Sequence, residues 1–231
     1  MSDPLIADFY AGDGAVDITS LANAGMPWCG IVLKATQGTY YDGGEWLRRH
    51  WPAAKSDAGD RYGRDWLRGA YHYLDFAADA AKQADYFLAT IEKCGGFSSG
   101  DIIAVDVERG GQRVPLTRSL VEDTTSAWVE RLGRPVLLYG GELIRSLGIT
   151  SHMGCAALWT ARYAPTLPPQ TYQDMGWQLG DLAMWQYAGK TTASYVDSFL
   201  AGYPATTPAG LADISAVTMP LETLKQRLCG A

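Results

Sequence analysis

Short runs of small and β-branched apolar residues alternate with longer amphipathic stretches along most of the chain. Such runs read as strands buried on both faces, and the stretches between them as helices that cover those faces. Strands are predicted at Leu5–Phe9, Gly30–Ala35, Gly69–Tyr73, Ile102–Val107 and Pro135–Tyr139. Helices are predicted near Ile18–Ala24, Glu45–Ala58, Ala78–Lys93 and Thr117–Leu132. In the last of these, Leu120, Thr124, Ala127, Trp128 and Leu132 recur at helical spacing and are expected to face the core. A shorter helix over Glu142–Leu147 is stopped by Gly148. The pattern then changes. Three strands follow, around Ala156–Thr160, Met184–Tyr187 and Ala212–Ala216, with little helix between them. A terminal helix over Pro220–Leu228 starts with proline in its first turn.

Five βα units followed by three strands make eight strands, which predicts an α/β barrel with an irregular last third. The structural competitor is an open doubly wound sheet, but no glycine-rich phosphate loop follows the first strand. A chain of 231 residues suits one such domain, expected to span 1–231. A formal charge of −6 argues against a general binder of nucleic acid or anionic membrane. No segment approaches the ~20 continuous apolar residues of a membrane span. The start, Met1-Ser2-Asp3-Pro4, lacks the basic and apolar regions of a signal peptide, so action outside the cytoplasm would need release or export by another route. Cys29, Cys94, Cys155 and Cys229 form no C-x-x-C pair and are expected to be free thiols. His50, His72 and His152 are equally scattered, so no metal site is expected.

The chemistry gathers at strand ends. Ile102–Val107 runs into Asp106-Val107-Glu108, and side chains two apart on a strand share a face, about 6.6 Å apart along the axis. Two carboxylates this close do not both ionise cheaply, so one is expected to keep its proton. A protonated acid beside an ionised partner is what cleavage of a glycosidic bond requires. Taken alone, the pair also fits an acidic step into a surface loop. The other strand ends decide between the two. Parallel βα barrels carry their reactive groups at the C-terminal ends of the strands. Those ends supply Asp8 and Tyr10, Lys34 and Gln37, Tyr71, Tyr139, Trp159 and Arg162, Trp185 and Gln186, and on the last strand Asp213. Tyrosine and tryptophan faces pack against sugar rings while amides and charged groups bond the rim. Trp28, Trp46, Trp51, Trp66 and Trp128 are expected in the core instead.

These residues resemble the glycoside hydrolase family 25 lysozymes, the N-acetylmuramidases. The resemblance runs from Ile6-Ala7-Asp8 to Ala212-Asp213-Ile214. It is carried by Ile31–Thr39, Gly69–Tyr73, Asp106-Val107-Glu108, Leu158–Tyr163 and Trp185-Gln186-Tyr187 in order. It implies a TIM-like (β/α)5(β)3 barrel without a cofactor, acting on bacterial peptidoglycan at the cell wall. The β-1,4 bond between N-acetylmuramic acid and N-acetylglucosamine would be hydrolysed with retention. Glu108 would be the general acid/base and Asp106 its carboxylate partner, either as nucleophile or as support for an oxazolinium ion formed by the substrate. Asp8 and Asp213 would complete the acidic cleft. A monomer is expected.

The chain departs from that family at Gln37, where glutamate is usual, and in the loops Ala11–Ala15 and Gly110–Gln112. Two rival readings remain. A family 18 chitinase-like barrel also ends a strand in D-x-E, but wants a further aspartate where this chain has Ala104. A catalytically silent glycan-binding barrel would typically lack Asp106 or Glu108, and both are present.

Overall fold

Eight strands close on themselves in chain order, each bonded to the next and the last to the first. The computed structural model describes residues 3–25, 27–163, 166–189, 207–209 and 212–229. Five βα units come first: β1 (Leu5–Phe9) and α1 (Ile18–Asn23), β2 (Trp28–Gln37) and α2 (Gly44–Ser56), β3 (Leu67–Tyr73) and α3 (Ala80–Lys93), β4 (Ile102–Val107) and α4 (Arg118–Leu132), β5 (Leu137–Gly140) and α5 (Glu142–Ser146). Then come β6 (Ala157–Ala161), a single turn α6 (Gln170–Gln173), β7 (Leu182–Ala188), β8 (Asp213–Val217) and the closing helix α7 (Leu221–Cys229). This is the irregular (β/α)5(β)3 barrel that the hydrophobic pattern and the resemblance anticipate. Neighbouring strands run parallel from β1 to β7, whereas β8 is antiparallel to both β7 and β1.

Strand parity sorts side chains into two apolar layers. Ile6, Val32, Leu67, Ile102, Ala104, Leu137, Ala157, Trp159, Met184 and Val217 fill the barrel interior. Leu5, Ala7, Ile31, Leu33, Ile103, Val105, Leu138 and Leu158 face outward to the helices. Full burial of each such aliphatic side chain is worth about 1.5–3 kcal/mol. The interior layer continues downward into Met219, Leu224 and Leu228, so α7 seals the barrel floor. Gly30 permits the close approach of β2 to β3, since a β-carbon there would lie 2.7 Å from the Leu67 carbonyl oxygen.

Helix ends follow local chemistry. Asp17, Asp79 and Thr117 accept from the backbone N–H groups of Ser20, Lys82 and Leu120 and cap α1, α3 and α4. Gly133, left-handed at φ 64°, ends α4. The buried face of α4 differs from the expectation. It consists of Val121, Thr125, Trp128, Val129 and Leu132, while Ala127 is exposed and Leu120 and Thr124 are half-buried. Trp128 and Leu132 belong to both possible stripes. Val121, Thr125 and Val129 are what distinguish the observed one, and Trp128 within it stacks on His72 of β3 with centroids 5.3 Å apart.

Trp28, Trp51, Trp66 and Trp128 are core residues as expected, and Trp46 packs half-buried against the same layer. All four cysteines are free, three of them buried and Cys229 partly exposed. No helix among the described residues is long and apolar enough to cross a membrane.

Candidate active site

The carboxyl ends of the parallel strands surround a cleft of about 220 Å3. It is lined by Asp8, Tyr10, Lys34, Tyr71, Tyr73, Asp106, Glu108, Tyr139, Trp159, Gln186 and Asp213. Parity explains the membership. Asp8 continues the inward row of Ile6, Lys34 that of Val32, Asp106 that of Ile102 and Ala104, and Gln186 that of Met184. Asp213 reaches the same mouth for a different reason. Because β8 is antiparallel, its first residue lies at the mouth, directly across from Asp8 in the ladder. A parallel β8 would have put Asp213 at the floor.

Three expected residues stand outside the lining. Trp185 has the opposite parity to Met184 and Gln186, so its ring enters the outward layer and its Nε1 donates to the Arg162 carbonyl oxygen at 2.7 Å. Arg162 is exposed on the chain leaving β6. Gln37 meets the cleft only through Lys34, whose Nζ donates to its Oε1 at 2.9 Å. One residue of the lining was not anticipated. Tyr73 shares its face with Tyr71, two residues earlier, a signal that strand parity alone carries.

The wall is tightly bonded. Tyr139 donates to Gln186 Oε1 at 2.6 Å, and Gln186 Nε2 reaches Asp8 Oδ2 at 3.4 Å. Trp159 packs edge-on against Tyr139 with centroids 4.7 Å apart and donates from Nε1 to Ser215 Oγ at 2.9 Å. Tyr73 donates to the Gly110 carbonyl oxygen, and Lys34 Nζ lies 4.6 Å from the Tyr73 ring centroid. Gln112 ties the loop after β4 to the loop after β3. Its Nε2 donates to the carbonyl oxygens of Leu74 (2.8 Å) and Glu108 (3.2 Å), while its Oε1 accepts from Phe76 N–H (3.1 Å). That bracing holds the backbone of Glu108, and nothing in the sequence pattern announces it.

Electrostatics follow from crowding acids into a half-dry cleft with one lysine. Burial pushes the Asp8 carboxyl well above the usual range, helped by Asp213, Asp13 and Asp106 and opposed by the Gln186 hydrogen bond. Burial and then Glu108 push Asp106 well up, with Lys34 opposing. Glu108 is raised by burial and then Asp213, again against Lys34. Lys34 is lowered by burial, against the pull of Asp106 and Glu108. Both members of the pair therefore hold protons more readily than free carboxylates, each chiefly because it is buried. The sequence reading expected Asp106 to be the ionised member. Its Oδ1 is buried without a hydrogen-bond partner among the described residues, so the protein supplies no donor there to favour the anion.

Residues 7–196 match the model of glycosyl hydrolases family 25. That match ends before β8, so the placement of Asp213 rests on the structure. A family 25 glycosyl hydrolase from Bacillus anthracis superposes with a TM-score of 0.70 at 19% identity, over 97% of this chain and 93% of that one. A muramidase from Acremonium alcalophilum gives 0.69 at 23% identity, over 99% and 100%. The catalytic domain of endolysin ply40 from bacteriophage P40 of Listeria monocytogenes gives 0.66 at 18%, over 99% and 98%. Among curated sequences, the uncharacterized protein YegX of Escherichia coli O6:H1 is 27% identical over 163 residues, which are 68% of this chain and 52% of YegX. The chain thus spans about half the length of the curated relatives it matches.

Proposed function

Because the chain belongs to glycosyl hydrolases family 25, we infer that it is a lysozyme-type muramidase. It hydrolyses the β-1,4 bond between N-acetylmuramic acid and N-acetylglucosamine in bacterial peptidoglycan, with retention of configuration. The observation that carries this reading is the Asp106–Glu108 pair, both with raised pKa, on the wall of one aromatic-lined cleft.

Glu108 is the group to protonate the leaving oxygen, since it lies at the cleft mouth and burial and the Asp213 charge raise its pKa. Asp106 is the negative partner of the oxocarbenium-like centre. For that role it must be the anion, against the push of burial. A donor on the unpartnered Oδ1 achieves this, because a hydrogen bond to the charged form lowers a carboxyl pKa. The 2-acetamido N–H of the substrate is such a donor, and this favours the route in which Asp106 supports the substrate's own acetamido group. Tyr139 and Gln186 hold Asp8 in place, while Trp159, Tyr71 and Tyr73 offer faces for sugar rings. Action at the wall implies that the protein reaches the periplasm or the outside of a bacterium.

Purified cell walls test the reading. Turbidity should fall and new reducing ends should be muramic acid; reducing N-acetylglucosamine ends, or none, would overturn it. Glu108→Gln should reduce the rate by about 10²–10⁴-fold, the usual contribution of general acid–base catalysis. A variant with near-full rate removes Glu108 from the reaction. A silent glycan-binding barrel would bind walls without releasing ends.

A further inference from the structure

Past Glu108 the cleft adjoins a second cavity of about 140 Å3, between the loop after β4 (Glu108–Gly110) and the turn from β5 into α5 (Gly141–Leu143). Arg109 lines this cavity, and Arg145 and Arg162 lie near its Gly141 side. Arg109 follows Glu108 directly and donates from Nη2 to Ser146 Oγ of α5 at 3.1 Å. Arg145 precedes Ser146 on α5 and lies against the glycine wall, since a β-carbon at Gly141 would sit 3.3 Å from its Nη1. Its guanidinium donates from Nη1 to the Thr171 carbonyl oxygen at 3.3 Å. Arg162, the first residue beyond β6, is close enough for its charge to depress Arg145, a smaller effect than burial. Glu142 and Asp174 oppose that effect without closing an ion pair. None of the three arginines is in an ion pair with a carboxylate among the described residues, although acidic residues outnumber Lys and Arg 25 to 19 in the chain.

A guanidinium fork matches a carboxylate in shape and charge. We propose that this cavity and Arg109, Arg145 and Arg162 hold the carboxylates of the stem peptide attached to the muramic acid whose glycosidic bond is cut. The proposal rests on the muramidase reading above. The stem peptide hangs from C3 of the muramic acid, two ring carbons from the scissile C1, and each extended residue spans about 3.3–3.6 Å, so its carboxylates reach the cavity that opens beside Glu108. Sugar hydroxyls carry no charge for three arginines to meet, whereas the free carboxylates of the peptide do. Arg162, outside the cleft that binds the sugar rings, thereby has a place in substrate recognition.

The test uses one glycan in two forms, with its stem carboxylates free or converted to primary amides. The wild-type protein should lose about tenfold in kcat/KM on amidation, the scale of a lost charge-assisted contact. Arg109→Gln and Arg162→Gln should cut the free-acid substrate at about the amidated rate and show no further fall on amidation, and Arg109→Lys should recover part of the preference. Equal wild-type kcat/KM on both forms overturns the assignment and leaves the muramidase reading standing. So does an amidation effect that the arginine variants retain in full, which would place carboxylate recognition elsewhere. Cleavage of neither form overturns the muramidase reading itself. The wild-type comparison holds whether or not a variant folds.

Discussion

Asp106 is kept at a cost to the fold, since it is a buried carboxyl with no donor on Oδ1 among the described residues, and Lys34 is the charge that favours its anion. Asp106→Asn should abolish turnover and raise stability at pH 7 by about 0.5–2 kcal/mol, the common size of relief at a strained functional site. In a chain of this length that is a few degrees of melting temperature. The advantage fades with acid. A raised folded-state pKa means that the wild type gains stability as pH falls through it, so the advantage of the variant should shrink on acidification. Calorimetry across pH checks both parts, and a variant less stable at pH 7 would contradict the first. Asp213→Asn tests a second electrostatic link. Asp213 is the main charge raising Glu108, so its loss should move the alkaline limb of the kcat/KM profile to lower pH. An unmoved limb would detach Asp213 from the acid. At this scale the acids were legible in the sequence because Asp8, Asp213 and the Asp106–Glu108 pair all stand at strand ends, which one barrel brings to a single mouth. Tyr73 and Trp185 were not placed correctly because aromatic character says nothing about side, and parity decides it.

Along β3 the outward-facing His72 joins three elements. Its Nδ1 is 2.7 Å from Thr36 Oγ1 of β2, its Nε2 is 3.1 Å from Gln83 Oε1 of α3, and its ring stacks on Trp128 of α4. The Gln83 amide donates to the Asp75 and Ala78 carbonyl oxygens and its oxygen accepts from Asp75 N–H, which fixes its orientation. Gln83 Oε1 therefore faces His72 as an acceptor, so Nε2 carries the proton and Nδ1 accepts from Thr36. Burial lowers His72 from 6.5 to about 4. Between those values the unfolded chain takes up a proton that the folded one refuses, so stability falls as pH drops and the loss is complete near pH 4. The size is about 3 kcal/mol. Urea unfolding at pH 7 and pH 4.5 should show it, and His72→Gln should flatten the slope even if it lowers stability overall. An unchanged slope would remove His72 as the cause. The elements themselves were largely legible, because strands covered on both faces read as unbroken apolar runs. The buried face of α4 was misread by one position because Trp128 and Leu132 fit two stripes. The reversal of β8 was not legible, since a five-residue run carries no direction.

Across the whole molecule, the cleft depends on the two ends of the chain meeting. Asp8 and Asp213 face each other only because β8 pairs with β1. A chain ended after residue 210 would lack β8 and α7, open the edges of β1 and β7, and bare the interior layer at the floor. It should lose its cooperative urea transition and its near-ultraviolet circular dichroism; a sharp native-like transition would show that closure is dispensable. The same reversal has a geometric consequence. β1 starts at the floor, and β8 returns there, where Val217 N–H bonds the Pro4 carbonyl oxygen before α7 seals the opening. Both ends of the barrel chain thus emerge on the side away from the cleft. Any polypeptide or solid support joined to either end would hang behind the catalytic face, leaving the approach of an insoluble wall unobstructed.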